Sequence, residues 1–370
     1  MIETLRVQNY KSLKDIEIPL KPLTVLVGPN AAGKSNILDC LRFLSEMVAI
    51  PGDRAEPVRK RGGYGDIVWG GQTGSSISVS CRWQPLQAGE GSFDYLLVIR
   101  NNPTHTFSIE EEHLSASAPG MELVSWHRGG RNPTLFPDTF GLSEDTSKFD
   151  RADKPIERWA RGVISGWTFY DFLTQSMRVP RAMGTAERLS SDGSNVAQVL
   201  LRLHLKEPDL FREVEELLQA AIPEVEKLFL DDVGGNQVYV AWREKAIPGR
   251  IPAWNMSEGS VRLVGILLAL LVPEPPPLVA FENPEVHLHS HQMEYLAEIL
   301  KAASRRSQVI ITTHSPYLLK HFAPEDVLIV WKEKGQTRVK PVRTFKGLRE
   351  ALKTLDLGEI YYAGHLGGVP

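Results

Sequence analysis

GPNAAGKSN, residues 28–36, decides how this chain is read. It fits G-x-x-x-x-G-K-[ST]: Gly28 and Gly33 take the glycine positions, Pro29, Asn30, Ala31 and Ala32 lie between, and Lys34 and Ser35 close it. The apolar run LTVLV (23–27) leads in as a buried strand, and SNILDCLRFLSEM (35–47) leads out with helical spacing. A strand–loop–helix unit aims successive backbone N–H groups at one point, where the helix N-terminus adds positive potential. A polyphosphate suits that cradle, which runs from Gly28 through Asn36. Lys34 then reaches the β- and γ-phosphates, and the Ser35 hydroxyl ligates Mg²⁺. A chance Gly-rich turn is the rival reading, and the flanking strand and helix argue against it.

Such a loop needs an acidic residue on a neighbouring strand to hold Mg²⁺. PPPLVAFENPEVHLH (275–289) supplies one, with Glu282 at the end of an apolar strand. QVIITTHSP (308–316) places His314 at the end of another. Both residues belong at the C-terminal edge of a parallel sheet, where α/β folds bind ligands. A third element, NMSEGSVRLVGILLALL (255–271), opens with Ser257 and Gly259 and continues as a helix that is apolar almost all round. Ser257 is a candidate N-cap; taken alone the turn reads as a capped buried helix, and taken between the phosphate loop and FENPE its free N–H groups read as a second anion site.

Bulk properties narrow the field. At 370 residues, with 42% apolar and 24% charged content, the chain has the make-up of an ordinary globular protein with a large core. A net charge of −3 gives no global attraction to nucleic acid, so any DNA contact must be a local patch. Two cysteines make no disulfide framework, and a cytoplasmic setting is expected. The charged, amphipathic N-terminus reads as neither signal peptide nor anchor. VGILLALLV (264–272) is too short to span a bilayer, so no membrane partner is expected.

Along the chain, residues 2–27 alternate as strands, 34–48 are helical, and 50–75 form a Gly/Pro/Arg-rich loop. SISVSCRW, FDYLLVIR and HTFSIEEEHL read as an antiparallel meander. Residues 115–165 read as irregular loops, 193–230 as helices, QVYVAW as a short strand, and 255–345 as alternating helices and strands. The expected division is a nucleotide fold split between 1–110 and 232–345, an inserted loop and helical lobe at 111–231, and a tail at 346–370.

These pieces, in this order, resemble the ABC-type ATPases of the SMC/RecF/OLD group, and most of all the compact bacterial AAA-family ATPases without a coiled coil. The opening LRVQNYKSLKDIEIPLKPLTVLVGPNAAGKSNILDCLRFL carries the likeness at one end. MSEGSVRL corresponds to the group's signature motif, FENPEVHLHS to Walker B and D-loop, and TTHSP to the switch histidine. LSSDGSNVAQVL (189–200) is similar to a phrase of its helical lobe, and LGEIYYAGHLGGVP to its ending. The resemblance implies an α/β fold: a split ABC-type P-loop NTPase head with an N-terminal antiparallel β region and an inserted helical lobe. It implies ATP and Mg²⁺ as ligands, and two subunits sandwiching two ATP molecules head to tail. Each site would join Gly28 to Ser35 and Glu282 of one chain with Ser257 and Gly259 of the other. Lys11, in NYKS, matches a basic residue near the phosphates, and Gln72, in WGGQTG, is the candidate for the glutamine that contacts Mg²⁺.

One departure matters. Many members pair two acids at Walker B, the second acting as general base, whereas this chain has Glu282 followed by Asn283. An amide orients water but takes no proton at neutral pH. Glu285 is the nearest carboxylate, either as a replacement base or, more simply, as a D-loop residue facing the dimer interface. Slow hydrolysis is the expectation. The alternating histidines His287, His289 and His291 invite a zinc reading, which has no nearby cysteine to support it. Arg59, Lys60 and Arg61 read as a solvated face or a nucleic-acid contact.

The expected function is ATP-driven dimerisation that regulates DNA-directed work or a separate effector, in prokaryotic defence or repair. About forty residues follow Val330, too few carboxylates among them for a two-metal nuclease, so a nuclease or toxin is expected as a separate polypeptide. One alternative is an ATP-binding switch that barely hydrolyses. Another, an ABC transporter motor, is disfavoured because Lys34 and Glu282 lie 248 residues apart.

Overall fold

The computed structural model describes residues 1–49, 55–86, 89–102, 106–129 and 154–366. Its centre is a six-stranded sheet. β3 (Leu23–Val27) lies between β14 (Gln308–Thr313) and β15 (Val327–Glu333), all parallel. β13 (Leu278–Glu282) and the three-residue β8 (Thr168–Tyr170) extend the parallel run beyond β14. β16 (Gln336–Pro341) closes the other edge antiparallel to β15. The order is β16-β15-β3-β14-β13-β8.

Side-chain alternation splits these strands between two cores, as a pleat of period two requires. Leu26, Ala280, Ile310 and Val330 face one core. Val25, Val27, Phe281, Ile311 and Ile329 face the other. The first core is filled by α1 (Lys34–Ala49), α4 (Pro155–Ser165) and a second, antiparallel sheet. That sheet joins β1 (Ile2–Tyr10), β2 (Leu13–Pro19), β4 (Ile77–Trp83), β5 (Ser92–Asn102), β6 (Thr106–Ser117) and β7 (Val124–Gly129) in the order β2-β1-β4-β5-β6-β7. The second core packs α6 (Val196–Lys206), α7 (Pro208–Ala221), α8 (Glu258–Leu270) and α9 (Gln292–Ala303). A small sheet completes it: β10 (Val225–Asp232), β11 (Gln237–Glu244) and β12 (Ile251–Pro252), with β9 (Arg181–Ala182) also on β11.

The fold corrects several expectations. The loop read at 50–75 contains, within its described part, α2 (Glu56–Arg59) and α3 (Tyr64–Ile67). The stretch 115–165 carries β7 and α4, and its residues 130–153 lie outside the described part. The helical reading of 193–230 ends too late, because β10 begins at Val225. β8, inside the segment read as an inserted lobe, pairs with β13 of the central sheet. Short helices α5 (Thr174–Met177), α10 (Pro316–Leu319), α11 (Leu348–Ala351) and α12 (Leu357–Tyr362) complete the set. The stretch read as a tail at 346–370 thus includes α12, whose Leu357 and Ile360 are buried in the second core. Among the described residues, no helix is long and apolar enough to cross a membrane.

Candidate nucleotide site

β3, β13 and β14 run parallel, so their C-terminal ends share one sheet edge. The loop after β3 crosses that edge into α1, and a cleft of about 370 Å³ opens there. Asn30, Ala31, Ala32, Gly33, Lys34, Ser35 and Asn36 line it, with Asn283 from beyond β13, His314 from beyond β14 and Lys332 from β15. The first amides of α1 have no preceding turn to bond, so they are donors for an anion. Ala31 holds the loop's bend at φ 60. That left-handed conformation costs a residue with a Cβ about 1 kcal/mol.

Lys34 is buried, and its Nζ donates to the carbonyl oxygens of Gly28 at 2.8 Å and Pro29 at 2.9 Å. Burial pulls its pKa down to about 8, against the pull of Glu282 and Glu285. The Ser35 hydroxyl donates to Glu282 Oε1, so two hard oxygen ligands from elements 247 residues apart meet. This pair and the ammonium beside it fit a magnesium-bound polyphosphate. Burial, and then Lys34, lower the pKa of His314. Its imidazole is therefore biased neutral. Asn283 has φ 45, and its N–H donates to Thr312 O at 3.2 Å and Thr312 Oγ1 at 3.1 Å. Asparagine tolerates that left-handed backbone better than glutamate does.

Other expected site residues lie apart from the cleft. Lys11 is turned onto Asp39 of α1, with 2.6 Å between Nζ and Oδ2. The same carboxylate accepts from Tyr10 at 2.6 Å and pairs with Arg61 at 2.8 Å. Burial opposes its charge, yet the Arg61 and Lys11 hydrogen bonds hold its pKa at about 2. Arg61 also binds Glu46 at 2.7 Å, and Lys60 pairs with Glu46, so these residues of the basic run are engaged internally. Gln72 sits exposed in the turn before β4 and does not line the cleft.

Glu285 is neither at the cleft nor at the surface. It is buried, accepting from Thr313 Oγ1 at 2.6 Å and the His314 N–H at 3.3 Å. A base for an attacking water needs access to the cleft, and a residue facing a partner needs exposure. The carboxylate has neither. Ser257 caps α8, its Oγ accepting from the Ser260 N–H at 3.1 Å. Gly259 sits against the loop after β13, where a Cβ would come 2.3 Å from His287 O. His287 pairs with Glu258 at 2.9 Å, while the His289 and His291 rings stack at 5.1 Å. Among the described residues, no group of three or more His, Cys, Asp or Glu is set to hold a metal.

Sequence reasoning missed the brace beneath the loop. Thr337, buried on β16, donates to Ala32 O at 2.9 Å and lies 2.6 Å from Ser12 Oγ. Asn36 Nδ2 donates to the same Ser12 oxygen at 2.6 Å. Gly33, at φ 107, leaves room for this contact, because a Cβ there would sit 1.9 Å from Thr337 Oγ1. Ser12 stands in the quoted NYKS phrase; a threonine in a C-terminal strand gives no signal. Thr337→Val keeps the shape but strands the Ala32 carbonyl and the Ser12 hydroxyl. It is expected to cost about 1–3 kcal/mol of unfolding free energy, read in a urea melt. An unchanged midpoint would show that the brace carries no weight.

The family profile described as "AAA domain, putative AbiEii toxin, Type IV TA system" matches residues 130–320, just over half of the chain. The chain belongs to this AAA-domain family. A second profile, "AAA ATPase domain", matches residues 1–60, which hold the phosphate loop. The chain is similar to the Old nuclease of Escherichia phage P2, at 21% identity over 363 residues, covering 91% of this chain and 60% of that protein. It is also similar to the OLD nuclease of Thermus scotoductus, at 55% identity over 38 residues, 10% of this chain and 7% of that one. It thus spans less than two thirds of the length of either relative. A solved SMC head, bound to the C-winged helix domain of ScpA, shares the fold with a TM-score of 0.59 at 16% identity, over 95% of this chain and 99% of that one. The chain's fold is that of an SMC-type ABC ATPase head.

Proposed function

We propose that this protein binds and hydrolyses ATP, and that ATP-dependent head-to-tail dimerisation lets it regulate DNA-directed work or a separate effector in prokaryotic defence or repair. The observation that carries the reading is the cleft itself. Lys34, Ser35, Asn283 and His314 converge at one sheet edge, with Glu282 bonded to Ser35. Ser35 and Glu282 would hold Mg²⁺, which when bound supplies positive charge against the phosphate oxygens. Lys34 binds the terminal phosphates, His314 contacts the γ-phosphate, and Asn283 orients the attacking water. Nuclease relatives and a head seated on another protein support a partner of either kind, DNA or protein; the cytoplasm is the setting proposed.

Ser257 and Gly259 do not line the cleft of their own chain. They open α8, an apolar helix whose N-terminal amides and capping serine suit a γ-phosphate offered by a second copy. Ser257→Arg is expected to abolish ATP-dependent crosslinking between cysteines placed beside this turn and beside the phosphate loop. ATP binding to the single chain should stay within about twofold, because the substituted residue is outside the cleft. Undiminished crosslinking would count against the composite site. Gly259 is a poorer probe, since any side chain there strikes the His287 carbonyl whatever its role.

A second reading, a nucleotide switch with little turnover, is favoured by one specific observation: the residue after Glu282 that lines the cleft is an amide, Asn283, which takes no proton from water. The steady-state turnover number separates it from an active ATPase.

A further inference from the structure

None of the described residues of the ending LGEIYYAGHLGGVP (357–370) lines the cleft, yet the first six form α12, which is firmly set in the molecule. Asp356 caps it: its Oδ1 accepts from the Glu359 N–H at 2.8 Å, and Glu359 Oε2 accepts from the Asp356 N–H at 2.8 Å. This reciprocal pair fixes where the first turn begins. Leu357, Ile360 and Tyr361 are buried in the second core, which also holds Leu318 and Leu319 of α10. The two short helices pack on one another.

Their point of contact is a glycine. Gly358 is buried, and a Cβ there would stand 2.1 Å from Pro316 O and 2.9 Å from the Pro316 carbonyl carbon. Inside a helix, glycine is a poorer choice than alanine, because it loses more backbone freedom on folding. Nothing in the helical backbone of α12 calls for it; the approach of the Pro316 carbonyl does. Pro316 stands two residues after His314, and the turn between them has little slack. The Ser315 N–H donates to Thr313 Oγ1 at 3.0 Å, and Ser315 Oγ accepts from the Leu318 N–H at 3.2 Å. The proline ring fixes φ at position 316. A displacement of Pro316 therefore passes to His314 instead of being absorbed on the way.

We propose that Gly358 is a positioning residue for His314: the backbone of α12, seated against the Pro316 carbonyl, is the backstop that holds the histidine at the cleft. This rests on the role given to His314 under the proposed function. A side chain at 358 must open the contact by about 1 Å or more to reach ordinary van der Waals separation. Misplacement on that scale slows a reaction by up to about 100-fold. The phosphate loop and Lys34 belong to β3 and α1, on the other side of the cleft's histidine, so nucleotide affinity is spared.

The test is a double-mutant cycle read by single-turnover ATP hydrolysis, ATP affinity by calorimetry, and thermal melting. Gly358→Ala is expected to slow hydrolysis about tenfold with ATP affinity within about twofold. Beside His314→Ala, the same substitution should change the rate by less than about twofold, because the group it displaces is gone. Glu359→Ala removes half of the reciprocal cap without touching Pro316, so it should lower the melting temperature while the rate stays within about twofold. If Gly358→Ala does not fold, Ile360→Val takes its place in the cycle, since it trims one buried methylene beneath α12. A loss of about threefold is then expected with His314 present and none with alanine there. An equal loss in both backgrounds overturns the proposal. So does no loss in a folded variant, or a rate that merely follows the melting temperature from variant to variant. Unchanged hydrolysis in His314→Ala alone, or a wild-type protein that binds no ATP, overturns the proposed function, and the inference falls with it.

Discussion

Lys34→Ala is expected to weaken ATP binding by about 100-fold or more, the loss of roughly 3 kcal/mol from hydrogen bonds to a charged group. The ammonium is the fixed positive charge closest to the loop, held at 2.8 and 2.9 Å by the Gly28 and Pro29 carbonyls. Its place is thus set before any ligand arrives, and binding costs little reordering. Alanine removes the counter-charge and leaves those carbonyls without this donor. Calorimetry with ATP and Mg²⁺ reads the change, and unaltered affinity would sink the site assignment. The titration of Lys34 adds a pH signature. With a pKa of about 8, the empty site is losing its positive charge above that pH, and a polyphosphate restores it. Binding at pH 9 should therefore take up protons, seen as a dependence of the heat on buffer ionisation enthalpy. The stability consequence has a definite sign. Between about 8 and the ordinary lysine value of 10.5, the unfolded chain holds a proton at Lys34 that the folded chain has released. Stability from this group rises with pH across that window.

Asn283→Glu is expected to raise the ATPase rate by about 10²-fold, the lower end of what a general base contributes. Asn283 lines the cleft with Lys34 and His314, so a carboxylate there has the access that Glu285 lacks. The gain comes with a structural penalty of about 1 kcal/mol, because glutamate must adopt the left-handed backbone that asparagine tolerates at φ 45. Stability and turnover should therefore move in opposite directions. Steady-state hydrolysis beside a melting curve measures both. No gain in rate, in a variant that still binds ATP, rejects the idea that the missing base limits turnover. Glu282→Gln is the companion control and should reduce the Mg²⁺-dependent rate.

Much of the cleft was legible because its chemistry is local. The loop at 28–36 sits between LTVLV and a helix in one unbroken stretch, and Glu282 and His314 each end an apolar run. Runs with a single dominant face gave their own reading. What escaped notice depends on pairing between distant segments. β8 has three residues and is a strand only because β13 lies beside it. β10 shows mostly half-buried residues after Leu228, so its pattern is too faint to separate from the helix before it. Glu285 reads as a base or an interface residue because it stands two positions after Asn283 in FENPEVHLHS, and only the fold shows that the backbone turns it inward between the cleft and the exposed Val286 and His287. Lys11 and Gln72 were placed by analogy, and neither carries in its own neighbours a reason to face the cleft.

The brace formed by Ser12, Asn36 and Thr337 has a consequence for how the chain is made. Its partners are 325 residues apart between Ser12 and Thr337, and β3 gains both its neighbours only with residues beyond 307. Ile2 likewise donates to Gln308 Oε1 at 2.7 Å, 306 residues downstream. The N-terminal third therefore leaves the ribosome with its phosphate loop lacking both flanking strands and its prop. At about 5–20 residues per second, the wait is on the order of fifteen to sixty seconds. Chains cut short before β16 lack the prop entirely, so the Ala32 carbonyl and the Ser12 hydroxyl wait for Thr337 until the last part of synthesis.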